Sequence, residues 1–220
     1  MKLSNRTLQL IKNFSLINES MVFKSGSVIT TISQNKDIMA RANIGEEFKQ
    51  PFAIHKLGKF LGVVSLFKDP DLDFQDKFMR IKQDKEYVDY VYADPSHIIS
   101  PGDKQIKMGE TEINFDLPFS IMNNVMKALH VLELPSIAVI GDRETIKLGA
   151  VDPANPSNNK YEIEVGTTEH EFSIVFKGEH LKLLPEDFKA SISSKGLGHF
   201  KGSDVEYWIT AITKQSTFKK

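Results

Sequence analysis

The side chains of this sequence that could bind a metal ion do not complete a known site. Four aspartates have the alternating spacing with which a calcium-binding loop begins: Asp69, Asp71, Asp73 and Asp76. Such a loop needs glycine at its sixth position and glutamate at its twelfth, where this chain has Phe74 and Arg80. We therefore predict a solvated turn over these residues, and no metal site.

The sequence also lacks the motifs of catalysis. It has no G-x-x-x-x-G-K-[ST] phosphate loop, no G-x-S-x-G nucleophile turn and no cysteine. Its six histidines show no i,i+4 pair of the kind that binds zinc on a helix. We therefore expect a protein that is not an enzyme and that uses no cofactor.

The remaining chemical signal is a set of polar helix faces that carry amides and lysines. They comprise Asn5, Gln9 and Lys12 on a first helix and Asn123, Asn124 and Lys127 on a later one. Acidic residues gather elsewhere, in 69–76, 84–89 and 162–171. The net charge of −1 argues against a tight DNA binder, but a segregated surface can present a positive field to DNA on one side. A solvated helix face without a ligand is the alternative interpretation.

Three amphipathic segments predict the helices that position these faces: 4–18, 56–67 and 118–132. Ser4 is suited to cap the first helix, and Pro118 suits the first turn of the third. Their predicted buried faces are Leu3, Thr7, Leu10, Ile11, Phe14 and Ile17; Leu57, Phe60, Leu61 and Val64; and Ile121, Met122, Val125, Leu129 and Leu132. A further short helical turn is predicted near 179–184, ending at Pro185.

Strand-like segments surround these helices in both halves of the chain. They are 21–24, 28–33, 38–44, 52–55, 78–82 and 87–92, and then 112–115, 136–140, 145–151, 161–165, 172–176, 188–193 and 206–213. The residues of 24–27, Lys-Ser-Gly-Ser, predict a hairpin turn between the first two strands. The segment 93–109 is rich in proline and glycine and has no clean period, so we predict an extended connector there.

The order of elements predicts an α+β protein of two similar domains, at 1–92 and 110–220, joined by the connector 93–109. An apolar fraction of 40% and a charged fraction of 26% are those of a soluble globular protein. The sequence contains no apolar run of about 18 residues, so we predict no membrane span. Its first residues lack the apolar region of a secretion signal, so we predict none.

Short sequence matches in a fixed order show that the chain resembles the sliding clamps of T-even-like bacteriophages, which are DNA polymerase processivity factors. The matches are Met1-Lys2-Leu3-Ser4, Lys12-Asn13-Phe14, Lys24-Ser25-Gly26, Phe60-Leu61-Gly62, Ala93-Asp94-Pro95-Ser96 with Pro101, and Lys182 with Pro185 and Lys189. Their order and spacing carry the resemblance, which spans most of the chain outside 151–171 and the residues after Ala211.

The resemblance implies a homotrimeric ring of two-domain subunits with the DNA clamp fold, in which helices line a hole around duplex DNA and sheets form the outer wall. It implies contact with DNA that is independent of base sequence, and it implies no association with a membrane. It also implies docking of the replicative DNA polymerase, an ATP-dependent clamp loader and late-transcription factors. The corresponding location is the cytoplasm of an infected bacterial host.

On this basis we expect the DNA-facing residues to be Arg6, Lys12, Lys56, Lys59, Asn124, Lys127 and Lys182. We expect a partner pocket beside the connector, with Ile98, Ile99 and Ile106 near it, because apolar residues on a polar connector often mark a docking groove. An equally weighted alternative is that the isoleucines only hold the connector onto the domains. The competing hypotheses for the whole chain are a two-domain α+β protein that binds a peptide or small molecule without encircling DNA, and an enzyme of another type.

Overall fold

The computed structural model describes residues 1–102 and 106–219 and divides into two compact units, Met1–Lys104 and Gln105–Lys220. Each unit combines antiparallel strands with one or two α-helices, so the predicted α+β class with two similar domains is confirmed. The division falls inside the predicted connector, of which residues 103–105 lie outside the described residues. No helix in the described ranges is long and apolar enough to cross a membrane.

The N-terminal unit is built from two α-helices and seven strands within residues 1–102. They are α1 (Asn5–Ile17), β1 (Met21–Phe23), β2 (Gly26–Ile32), β3 (Ile38–Phe48), β4 (Phe52–Ile54), α2 (Leu57–Val64), β5 (Asp71–Phe74), β6 (Phe78–Gln83) and β7 (Glu86–Val91). Strand β1 pairs with β4, β2 with β3, and β5 to β7 form a three-stranded sheet in which β7 is an edge.

The C-terminal unit has one α-helix and nine strands in residues 106–219. They are β8 (Ile113–Leu117), α3 (Phe119–Val131), β9 (Ser136–Asp142), β10 (Thr145–Val151), β11 (Tyr161–Thr167), β12 (Glu171–Lys177), β13 (Phe188–Ile192), β14 (Leu197–Lys201), β15 (Val205–Thr210) and β16 (Thr217–Lys219). One sheet has the order β11-β10-β9-β12-β16, and β15-β14-β13-β8 are neighbours in another.

Helix α1 begins where the sequence predicts, because Ser4 caps it. The Ser4 hydroxyl accepts a hydrogen bond from the Thr7 N–H at 3.2 Å. Glu46 of β3 reinforces this start by accepting hydrogen bonds from the Ser4 N–H and the Thr7 hydroxyl. Partial burial by itself would raise the pKa of Glu46, but these hydrogen bonds outweigh it and lower that pKa below its ordinary value.

The predicted hairpin at 24–27 is wrong. Strand β1 pairs with β4 and β2 pairs with β3, so the turn carries the chain from one pair to another. Gly26 supports this change of direction with a φ of +104°, which L-residues rarely adopt. The pairing of β1 with β4 is favoured by the rings of Phe23 and Phe52, which stack with centroids 4.4 Å apart.

The predicted solvated turn over the four aspartates is also wrong in part, because strand β5 forms within it. Leu72 is buried, while Asp71 and Asp73 point to the other side of the strand. Asp73 lies opposite Arg80 of β6, and its carboxylate is 3.7 Å from the Lys82 ammonium. Cross-strand cations therefore make this acidic segment compatible with a sheet.

The helical turn predicted near 179–184 is reduced to a 3-10 turn at Gly178–His180, so the C-terminal unit has one α-helix instead of the two expected. The Gly178 N–H bonds to the Pro135 carbonyl at 3.0 Å. Pro185 disfavours helical geometry at Leu184, and Leu181 and Leu184 are both buried. The chain between the 3-10 turn and Pro185 is therefore extended and packs against the core instead of forming a helix.

Candidate nucleic-acid interface

Helix α1 presents one exposed row of side chains, which we call the α1 row: Asn5, Gln9, Lys12 and Leu16. At 100° per residue these four positions fall within about 60° of one another. The opposite side of the helix is buried, with Leu10 and Phe14 fully enclosed. Packing of this apolar side therefore fixes the direction in which the α1 row points.

Helix α2 packs beside α1, and a groove of about 730 Å³ lies between them. The α1 row forms one wall of the groove, and Gly58, Leu61 and Gly62 contribute to the other. Lys68, after the end of α2, also reaches this groove. None of the described residues that line it is acidic, so its charge comes from Lys12 and Lys68.

Helix α3 presents a similar exposed row, the α3 row: Ser120, Asn124, Lys127 and Val131. Met122, Val125 and Leu129 on the other side are buried. Asn123, which the sequence assigned to the polar face, is half-buried beside this row. The N-terminus of the helix is held by the Phe119 N–H, which donates to the Asp187 carboxylate at 2.7 Å.

The two rows are related by one shift of 115 residues, the difference between the numbers of Lys127 and Lys12. The shift pairs every exposed member of one row with an exposed member of the other: Asn5 with Ser120, Gln9 with Asn124, Lys12 with Lys127, and Leu16 with Val131. It also pairs the buried Leu10 with Val125 and Phe14 with Leu129. The two units therefore repeat one helix design.

The charge of the helices differs from that of the sheets. None of the 29 acidic residues of the sequence falls within α1, α2 or α3. Within residues 1–102 and 106–219, Lys12, Lys59 and Lys127 form no ion pair, so their positive charge is open to a ligand.

Several cations on the sheets, in contrast, are paired with carboxylates, although Arg41, Lys189 and Lys201 on other described strands form no ion pair. Arg80 binds Asp89 through two hydrogen bonds of 2.7 and 2.8 Å, and this lowers the pKa of Asp89. Lys147 lies 2.8 Å from Asp142 and, with the Thr145 N–H, holds the pKa of Asp142 well below its usual range. The helices therefore offer positive charge with no acidic side chain of their own to offset it.

Of the predicted DNA-facing residues, Lys12, Asn124 and Lys127 lie in the two rows, and the other four lie outside them. Lys59 is exposed on α2, and Lys56 is exposed immediately before that helix. Arg6 is half-buried on α1 beside the α1 row. Lys182 is half-buried in the extended chain after the 3-10 turn, so it shares no helix face with the others.

The isoleucines predicted to mark a partner pocket differ in exposure. Ile98 is buried, Ile99 is 43% exposed and Ile106 is half-buried. The Ile99 carbonyl accepts a hydrogen bond of 3.4 Å from the Asn18 side chain. The Ile98 side chain is therefore packed within the N-terminal unit, while the Ile99 side chain is exposed.

Sequence reasoning missed Leu16 and Val131 as members of the exposed rows. The signal that could have found them was the shift of 115 residues, which becomes visible once the buried positions of α1 and α3 are aligned.

Two similar α+β units are the architecture of the DNA clamp proteins, and the comparisons with known proteins place the chain in that class. A family model described as DNA polymerase processivity factor matches residues 2–100, and one described as gp45 sliding clamp, C terminal, matches residues 114–213. The sliding clamp of Vibrio phage KVP40 is 33% identical over 216 residues, covering 95% of this chain and 98% of that protein. The sliding clamp of Enterobacteria phage T4 is 27% identical and covers 99% of both chains.

The fold is shared more widely than the sequence. A structure of A. fulgidus PCNA with the C-terminal region of FEN-1 bound aligns with a TM-score of 0.70, covering 93% of this chain and 94% of that chain at 10% identity. The chain belongs to the sliding clamp family, as the resemblance to clamps of T-even-like phages predicted.

Proposed function

We propose that this protein is a ring-forming sliding clamp that encircles duplex DNA and tethers the replicative DNA polymerase for processive synthesis. The observation that carries the proposal is the placement of lysines without ion pairs on helices that contain no acidic residue, in a chain of the sliding clamp family. No catalytic step is required for this role, because a closed ring is held on DNA by its topology. Tethering raises the concentration of polymerase at the primer end.

The proposed contact with DNA is electrostatic and independent of sequence. Lys12, Lys59 and Lys127 meet phosphates, and Asn124 adds an amide. Arg6, Lys56 and Lys182 are proposed as flanking contacts. Because few phosphates are met at one time, binding to linear duplex is weak and falls with salt, which permits the ring to slide.

Ring closure is proposed to use the edge strands β7 and β11. Each is the last strand of its sheet, so one row of its backbone groups has no neighbour in that sheet. Pairing of β7 from one copy with β11 from the next is a head-to-tail contact. Such contacts form a closed ring when the rotation from each copy to the next adds up to a full turn. Three copies make the homotrimer that the family resemblance implies.

Partner docking is proposed at the exposed part of the connector. The polymerase, an ATP-dependent clamp loader and late-transcription factors would insert an apolar segment near Ile99 of the N-terminal unit. Binding of the C-terminal region of FEN-1 to a PCNA of the same fold supports docking of a terminal segment of a partner. Because the matched relatives are phage proteins, we place this activity in the cytoplasm of an infected bacterial host.

The test combines charge reversal with an assembly measurement. We expect Lys12→Glu/Lys127→Glu to leave folding and sedimentation unchanged but to shorten the products of polymerase on a primed circular template. Lys49→Glu/Lys195→Glu, which changes exposed cations in turns between strands, is the matched control. A monomeric wild-type protein at micromolar concentration, or products of equal length from both variants, would refute the proposal.

A further inference from the structure

The α1 and α3 rows agree in chemical class at all four exposed positions, although the helices share little identity. Each row has two uncharged polar side chains, then a lysine, then an aliphatic residue four positions after the lysine. Neighbouring positions related by the same shift do not agree: Ser4 pairs with Phe119, and Ser15 with His130. Apart from the buried core positions, the correspondence is therefore confined to the rows.

The aliphatic members of the rows are unusual because they contribute little to the folded core. Leu16 is 58% exposed and Val131 is 81% exposed. Single exposed aliphatic residues are normal on protein surfaces. Two of them at equivalent positions, each four residues after an unpaired lysine, call for a common cause outside the chain.

We propose that the two rows are copies of one contact unit for the sugar-phosphate backbone of duplex DNA, in which Leu16 and Val131 keep that contact loose. The proposal rests on the proposed clamp function and adds to it a role for two apolar residues. Lysine attracts phosphates over a long range and exchanges them easily. Leucine or valine at i+4 touches deoxyribose through dispersion forces that have no direction, so these two positions add no hydrogen bond that must break as the ring moves.

The lining of the groove beside the α1 row favours the sugar-phosphate backbone of DNA as the ligand. It is open and lined by Lys12 and Lys68 with no acidic residue, which suits a polyanion. Gly58 and Gly62 on its other wall have open space around the position of a Cβ atom, so packing within the chain does not require glycine there. Glycine in a helix is unfavourable, whereas it permits close approach by an external group.

The test is to convert the loose contact into a tight one. Leu16→Lys/Val131→Lys adds two phosphate-binding groups per subunit at exposed helix positions that tolerate lysine. Diffusion of the loaded, labelled clamp along stretched duplex DNA is measured over a range of salt concentrations. We expect slower diffusion at low salt that recovers at high salt. The logarithm of DNA affinity should also fall more steeply with the logarithm of salt, by about one for each added contact.

Two comparison variants make the result specific. Asn35→Lys/Ser157→Lys adds the same charge on turns between strands and should leave diffusion at the wild-type value. Leu16→Gln/Val131→Gln adds hydrogen-bonding groups without charge, and should slow diffusion without changing the salt slope.

Three results would overturn the inference. Diffusion of the lysine variant could equal that of the charge-matched control, or the glutamine variant could diffuse as the wild type does. The lysine variant could also lose polymerase stimulation or ring assembly at unchanged diffusion, which would mean that the rows contact a protein. Failure of the clamp function itself would be recognised separately, because the wild-type protein would then not be retained on closed circular DNA.

Discussion

The direction of the backbone amides in β7 allows ring closure to be tested at a single atom. The Tyr92 N–H donates to the Lys77 carbonyl at 3.1 Å, towards β6. Hydrogen bonding alternates along an antiparallel strand with a period of two residues. The amides of Val88 and Tyr90 therefore point to β6, and that of Val91 points to the open edge.

Replacement of Val91 by proline removes one outward N–H and keeps the bonds between β6 and β7. The Val91 side chain is 71% exposed, so its loss leaves no cavity. If β7 pairs with a second copy, the change removes one interchain hydrogen bond and leaves a carbonyl of the partner unsatisfied, at a cost of about 1–3 kcal/mol per interface. The dissociation constant of each interface should rise by about 5- to 150-fold.

Sedimentation velocity over a series of protein concentrations measures this effect, with Val91→Ala as a control that keeps the amide. Val88→Pro is the opposite control, because it breaks a bond to β6 and should lower the free energy of unfolding of the single chain. A Val91→Pro protein that assembles at the same concentration as the wild type would refute the assignment of β7 to the subunit interface.

Three further predictions concern the fold and the docking site. Glu46→Gln should lower the free energy of unfolding by about 1 kcal/mol at neutral pH. The pKa of Glu46 is lowered in the folded state, so this difference should be present above the ordinary carboxylate pKa and disappear as the pH falls through the lowered value. Gly62→Ala should raise the melting temperature, because a Cβ there meets open space within a helix, whereas Gly141→Ala should lower it, because a Cβ there would overlap the Phe172 ring. Ile99→Asp should preserve ring assembly but reduce polymerase stimulation; full stimulation by that variant would exclude the connector as the docking site.

Local sequence patterns were sufficient for α1 and α3. Their buried positions recur with the helical period, and Ser4 marks a start that the structure confirms with a capping hydrogen bond. The absence of acidic residues from the helices is also a property of the sequence. The resemblance to sliding clamps predicted the family because its short matches occur in order along most of the chain.

Elements that depend on distant partners were predicted less well. The sequence predicts a turn where the structure has β5, because the aspartates of this strand are stabilised by cations on β6, which lies later in the chain. Strands β14 and β16 were not predicted. Strand β16 has only three residues and exists by pairing with β12, more than 40 residues earlier. Strand pairing of this kind is decided by contacts that no local window contains.

The sequence by itself determined the two amphipathic helices, the lysines on their polar sides and the membership of the family. Only the tertiary structure decided which helix positions remain exposed, and so revealed Leu16 and Val131 in equivalent rows. It also decided that β7 and β11 are edges and that the Val91 amide points outward. Exposure and edge position depend on what packs against each residue, and packing is a property of the assembled chain rather than of its local sequence.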